Sequence, residues 1–97
     1  MAEHGTPERE AAITRFLDRA GWSNAARRPL AGDASFRRYD RLETASARAV
    51  LMDAPPPMED VRPFTKIARH LAGLGYSAPR ILAEDADVGL LLLEDLG

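Results

Sequence analysis

Apolar residues recur along this chain in two helical stripes separated by short alternating runs. Ile13, Phe16, Leu17 and Ala20 fall at i, i+3, i+4 and i+7, the spacing that aligns one face of an α-helix. Thr6 and Pro7 offer a capping hydroxyl and a first-turn residue, and Gly21 closes the segment. The stripe predicts an amphipathic first helix packed into a core, with Trp22 beside it. Phe64, Ile67, Ala68 and Leu71 repeat the same spacing up to Gly73 or Gly75. Glu59 and Asp60 are expected as acids of that helix's first turn, where Pro63 is also tolerated.

The remaining runs have strand length. Arg28 to Ala31, a turn at Gly32-Asp33, and an alternating stretch through Phe36, Arg38 and Asp40 to Leu42 predict a β-hairpin. Thr44 to Ala47 is a polar loop. Ala49 to Met52 is a compact apolar run ended by Ala54-Pro55-Pro56-Pro57. Beyond the second helix, Ala78-Pro79 opens a short strand from Arg80 to Ala83, an acidic turn spans Glu84 to Asp87, and Gly89 to Leu93 forms the last strand. The order α-β-β-β-α-β-β predicts an α+β fold with an antiparallel five-stranded sheet, an N-terminal helix and a helix after strand three.

Composition narrows the class. Ninety-seven residues with 45% apolar and 29% charged positions describe one small globular unit with room for a single core. The chain has no cysteine, which excludes disulfide frameworks, thiolate metal sites and cysteine nucleophiles. The polar N-terminus has no apolar leader, and Leu90 to Leu93 is too short to cross a bilayer, so neither secretion nor a membrane partner is expected and the cytoplasm is the expected compartment. The net charge of −2 gives no electrostatic case for nucleic acid. Arg37, Arg38 and Arg41 nevertheless crowd one segment, either as phosphate-binding guanidinium groups or as solvated strand residues.

Residue detail sharpens the picture. The stretch Leu30-Ala31-Gly32-Asp33-Ala34-Ser35-Phe36-Arg37-Arg38-Tyr39 resembles the nucleotide-positioning loop of the aminoglycoside phosphotransferase and choline kinase superfamily. Val50-Leu51-Met52-Asp53-Ala54-Pro55 resembles its third strand, Pro79-Arg80-Ile81-Leu82-Ala83 its fourth, and Leu91-Leu92-Leu93-Glu94-Asp95-Leu96-Gly97 its hinge. The matches cover nearly the whole chain after Trp22, and the longest are most similar to bacterial kinases that phosphorylate N-acetylmuramate and N-acetylglucosamine at the anomeric hydroxyl in cell-wall recycling. The resemblance implies a kinase-like N-lobe over residues 1–97: a helical segment 1–24, then a sheet and helix over 28–97 that ends at the hinge, with the C-terminal catalytic lobe absent.

The resemblance also implies where ATP would sit. Gly32, Asp33, Ala34, Ser35 and Phe36 would form the turn over the phosphates, with small residues where backbone N–H groups approach the oxygens; an ordinary hairpin turn with Asp33 capping its own backbone is the alternative. Leu93 would occupy the gatekeeper position, with the Glu94 carbonyl and the Leu96 N–H facing the adenine edge. Leu30, Val50 and Ile81 would supply apolar walls.

One departure from the family pattern stands out. Kinase N-lobes usually carry a strand-three lysine paired with a glutamate on the following helix. Here those positions hold Met52 and Phe64. Losing one partner would strand a buried charge, whereas losing both leaves an apolar contact. Arg37 or Arg38 is expected to supply the missing positive charge; Lys66, within the helix, is badly placed for it.

The resemblance implies magnesium as cofactor and a small-molecule acceptor as partner, both handled by residues of the C-terminal lobe. Neither His4 nor His70 has a ligand partner at useful spacing, so no catalytic or metal residue is assigned and the 97 residues alone are expected to be inactive. Exposed apolar surface around Leu90 to Leu96, with self-association through it, is also expected. The alternative function is a non-catalytic interaction module of the same fold, docking through that edge.

Overall fold

The computed structural model describes residues 5–30 and 37–95. Its elements run α1 (Pro7–Ala20), β1 (Ala26–Pro29), β2 (Arg38–Glu43), β3 (Arg48–Asp53), α2 (Arg62–Gly73), β4 (Ile81–Asp85) and β5 (Leu90–Glu94). The five strands form one antiparallel sheet in the order β1-β2-β3-β5-β4. This is the expected α+β arrangement, with one helix before the sheet and one after strand three.

The first helix forms as its end signals dictate. The Thr6 Oγ1 accepts from the Arg9 N–H at 3.1 Å, Pro7 occupies the first turn, and Gly21 takes the left-handed conformation at φ +83° that closes the helix. Ile13, Phe16 and Leu17 are buried against Leu42, Ala49, Leu51, Leu90 and Leu92 of the sheet, and the half-buried Trp22 packs on the same cluster. A second anchor was invisible in the periodicity. Arg9 is buried, and its Nε donates to Asp53 Oδ1 at 2.8 Å while its terminal nitrogens donate to the Val88 and Gly89 carbonyls. A charge buried this deeply is tolerable only because it meets a carboxylate and two backbone acceptors.

The second helix starts later than expected. Glu59 and Asp60 both precede it, and no acid stands in its first turn. The Asp60 Oδ1 instead accepts from the Arg62 N–H at 3.0 Å, a local side-chain hydrogen bond made before the first helical residue. Its stripe is only partly covered: Ala68 is buried and Phe64 half-buried, but Ile67 is 60% exposed. A groove of about 190 Å³ opens along Phe64, Ile67, Leu71 and Pro79.

Strand limits shift by a few residues. The first strand begins at Ala26 rather than Arg28, and the expected hairpin turn lies outside the described residues. Between β4 and β5, Ile81 faces Leu93 while Ala83 faces Leu92, so Leu82 is the extra residue of a bulge, which accounts for its exposure. Gly89, at φ +75°, ends the turn before β5. A Cβ there would stand 2.0 Å from the Ala54 carbonyl oxygen, so the position admits only glycine.

The expected apolar surface at the end of the chain is corrected by this arrangement. Leu90, Leu91, Leu92 and Leu93 are all buried, because β5 lies inside the sheet between β3 and β4 and is covered on both faces. The exposed large apolar residues among those described are Met58, Ile67, Leu74, Tyr76 and Leu82, mostly on and around α2.

Candidate functional site

Register decides which candidate residues can act together, since directly paired residues of antiparallel strands project from the same face. Val50 stands between Arg41 of β2 and Leu93 of β5, and Leu93 stands beside Ile81 of β4. These four make one transverse row on the face that carries α2. The adjacent row is Tyr39, Met52 and Leu91. The Leu30 N–H donates to the Tyr39 carbonyl at 2.8 Å, extending the ladder and setting Leu30 on this face as well.

Met52 and Phe64 belong to one apolar cluster with Ala54, Val61, Leu91 and Leu93. Apolar residues of one cluster thus hold both positions at which the resemblance implies a lysine and a glutamate. Met52 is fully buried, so it underlies the face rather than lining it. Val50 and Ile81 remain half-exposed.

Two arginines flank these rows. Arg41 Nε donates to Asp95 Oδ2 at 3.0 Å, and the Asp95 side chain is only 6% exposed, so the residue after β5 is tied back to β2. Arg37, just ahead of β2, shares by alternation the face of Tyr39 and Arg41. Its Nε donates to Glu59 Oε1 at 2.6 Å, with side-chain exposures of 26% and 16%. The hydrogen bond to Glu59 holds the Arg37 pKa above its already high ordinary value, burial opposing it and a hydrogen bond with Tyr39 assisting. Arg37 is therefore cationic wherever the protein is folded. Four residues of strand separate it from Arg41, roughly 13 Å.

Arg38 belongs to the opposite face. It is paired with Asp53, whose carboxylate is held by Arg9 of α1. Of the two arginines expected to supply phosphate charge, register puts Arg37 on the α2 face and Arg38 on the α1 face. Glu94 is engaged with the residue before β4: its N–H donates to the Arg80 carbonyl at 2.8 Å and its Oε1 accepts from the Arg80 N–H at 3.3 Å. Gly32, Asp33, Ala34, Ser35, Phe36 and Leu96 lie outside the described residues.

What the face offers is a partly exposed apolar row with two anchored cations along its β2 side. Such a surface suits a ligand with a flat apolar part and an anionic part. Residues 26–96 match the model of the phosphotransferase enzyme family, APH. The chain belongs to that family.

The chain has curated relatives with one name in common. It is 58% identical over 69 residues to an N-acetylmuramate/N-acetylglucosamine kinase of Pseudomonas aeruginosa, covering 71% of this chain and 20% of the relative. It is 52% identical over 65 residues to the kinase of the same name from Pseudomonas putida, covering 67% of this chain and 19% of that protein. The corresponding kinase of Caulobacter vibrioides is 37% identical over 117 residues, covering 93% of this chain and 32% of its own length. The chain thus spans between about a fifth and a third of the curated relatives it matches.

Among the described residues, no three His, Asp or Glu side chains come together in a group that could hold a metal. No helix among them is long and apolar enough to cross a membrane. Sequence reasoning missed Glu59 and Asp95 as partners of this face, because each meets its arginine only through the tertiary fold, 22 and 54 positions away.

Proposed function

We propose that residues 1–97 are the ATP-binding N-terminal lobe of a sugar kinase acting on amino sugars of the N-acetylmuramate and N-acetylglucosamine type. The observation that carries the reading is the row Arg41, Val50, Leu93 and Ile81, facing α2 beside Arg37, in a chain whose relatives bear that kinase name. The purine would lie against Val50, with Leu93 behind it, the Glu94 carbonyl and Leu96 N–H at its edge. The turn Gly32 to Phe36 would cover the phosphates and Arg37 would contact them. In the reaction the γ-phosphorus loses its bond to the bridging oxygen of ADP and gains one to a sugar hydroxyl oxygen, whose proton passes to a base. That base, and the groups that hold magnesium, belong to the catalytic lobe, and the segment alone does not turn over. The setting proposed is cytoplasmic cell-wall recycling.

The deciding experiment incubates the full-length protein with MgATP and either N-acetylmuramate or N-acetylglucosamine and measures phosphosugar and ADP. Stoichiometric formation of both supports the reading. No turnover and no ATP binding would overturn it in favour of an interaction module.

A further inference from the structure

We propose that Glu59 is a positioning residue that holds Arg37 toward the nucleotide phosphates, so that an Arg37–Glu59 pair replaces the strand-three lysine and helix glutamate. The inference rests on the ATP-binding reading above. It begins from the void in charge at the usual place: Met52 and Phe64 belong to one apolar cluster, so no cation is delivered from the middle of β3. Two cations on that face stand two residues from Tyr39, which pairs with Met52: Arg41, tied to Asp95 after β5, and Arg37, on the side of the entrance to α2. That is roughly 7 Å along the strand. The acid has moved in concert, from the helix to the connection leading into it.

The pair differs in setting from the chain's exposed pairs. Arg62 joins Asp87, and Arg69 joins Glu84, on open surface where such contacts contribute little. Arg37 and Glu59 are both largely shielded, at 26% and 16% exposure, and join β2 to the entrance of α2 across one edge of the candidate face. Arg37 also follows directly on the turn proposed to cover the phosphates. A long arginine side chain would sample many rotamers beside a nucleotide. A carboxylate on Nε fixes the guanidinium plane before the ligand arrives, which lowers the entropy lost on binding.

The test uses the full-length protein and titrates ATP and adenosine separately by calorimetry. Arg37→Ala and Glu59→Ala are each expected to weaken ATP about tenfold or more while leaving adenosine within about twofold. Glu59→Asp should recover part of the loss. Should Glu59→Ala fail to fold, Glu59→Gln, which keeps size and an acceptor oxygen but not the charge, is expected to show a smaller loss that is still selective for ATP over adenosine. Equal weakening of ATP and adenosine would show a merely structural role and overturn the proposal, as would ATP affinity unchanged in the Glu59 variants. Absence of ATP binding by the unaltered protein would instead remove the nucleotide reading itself.

Discussion

The two faces of the sheet are covered by helices of similar length yet finished very differently. Under α1, Ile13, Phe16 and Leu17 interlock with Leu42, Leu51, Leu90 and Leu92, and Arg9 seals one end through Asp53 and two carbonyls. Under α2, cover stops short: Met52, Val61, Leu91 and Leu93 are buried, but Val50, Tyr39 and Ile81 are only half so, and α2 turns Ile67 outward. One face is a closed core and the other a partly open surface flanked by Arg37–Glu59 and Arg41–Asp95. A small unit that must both fold and bind can meet the two demands by dividing them between faces, since burial that saturates one side leaves the other free to carry groups arranged for a ligand.

The contrast can be broken by substitution. Arg9→Ala should have the largest effect, about 3–5 kcal/mol of lost stability, because it removes a buried ion pair with Asp53 and the donors to the Val88 and Gly89 carbonyls; chemical denaturation measures it, and a loss under about 1 kcal/mol would show that the clamp is not what closes that face. Leu92→Ala, on the same side, should lose about 2–5 kcal/mol by leaving a cavity.

Across the sheet the currency changes from stability to binding. Arg37→Ala is expected to weaken ATP about tenfold or more, whereas Arg38→Ala, on the α1 face, should leave ATP affinity within about twofold. Equal losses from both would mean that the face assignment by register fails. The smallest effect is expected at Ile67. Replacing it by alanine should change the stability of this segment by less than about 0.5 kcal/mol, since the side chain is 60% exposed, and a loss comparable to that of Leu92→Ala would show α2 to be as tightly seated as α1.

How much was legible follows from how local each signal is. The first helix could be read to its ends because Thr6, Pro7 and Gly21 act within a turn of their own positions. The second misled at its start: Asp60 reads as a first-turn acid, yet it caps the Arg62 N–H from outside the helix. Leu90 to Leu93 is expected as exposed apolar surface, yet its unbroken apolar run is that of a strand buried on both faces, and the neighbours that bury it, β3 and β4, come from elsewhere in the chain. The substitution of an apolar pair for the usual lysine and glutamate was legible as residue identities at Met52 and Phe64, whereas the partner that steadies Arg37 was not.

The sequence by itself determined the order and kind of elements, since helical and strand periodicity, caps and proline stops are properties of neighbouring residues. The tertiary structure alone decided the company that each residue keeps. Arg9 meets Asp53 across 44 positions, Arg37 meets Glu59 across 22, and Arg41 meets Asp95 across 54. Side chains alternate along a strand, so a shift of one residue in register would exchange the two faces and carry Arg37 away from Glu59; that choice is made by the packing of the whole sheet, which no local stretch of sequence contains.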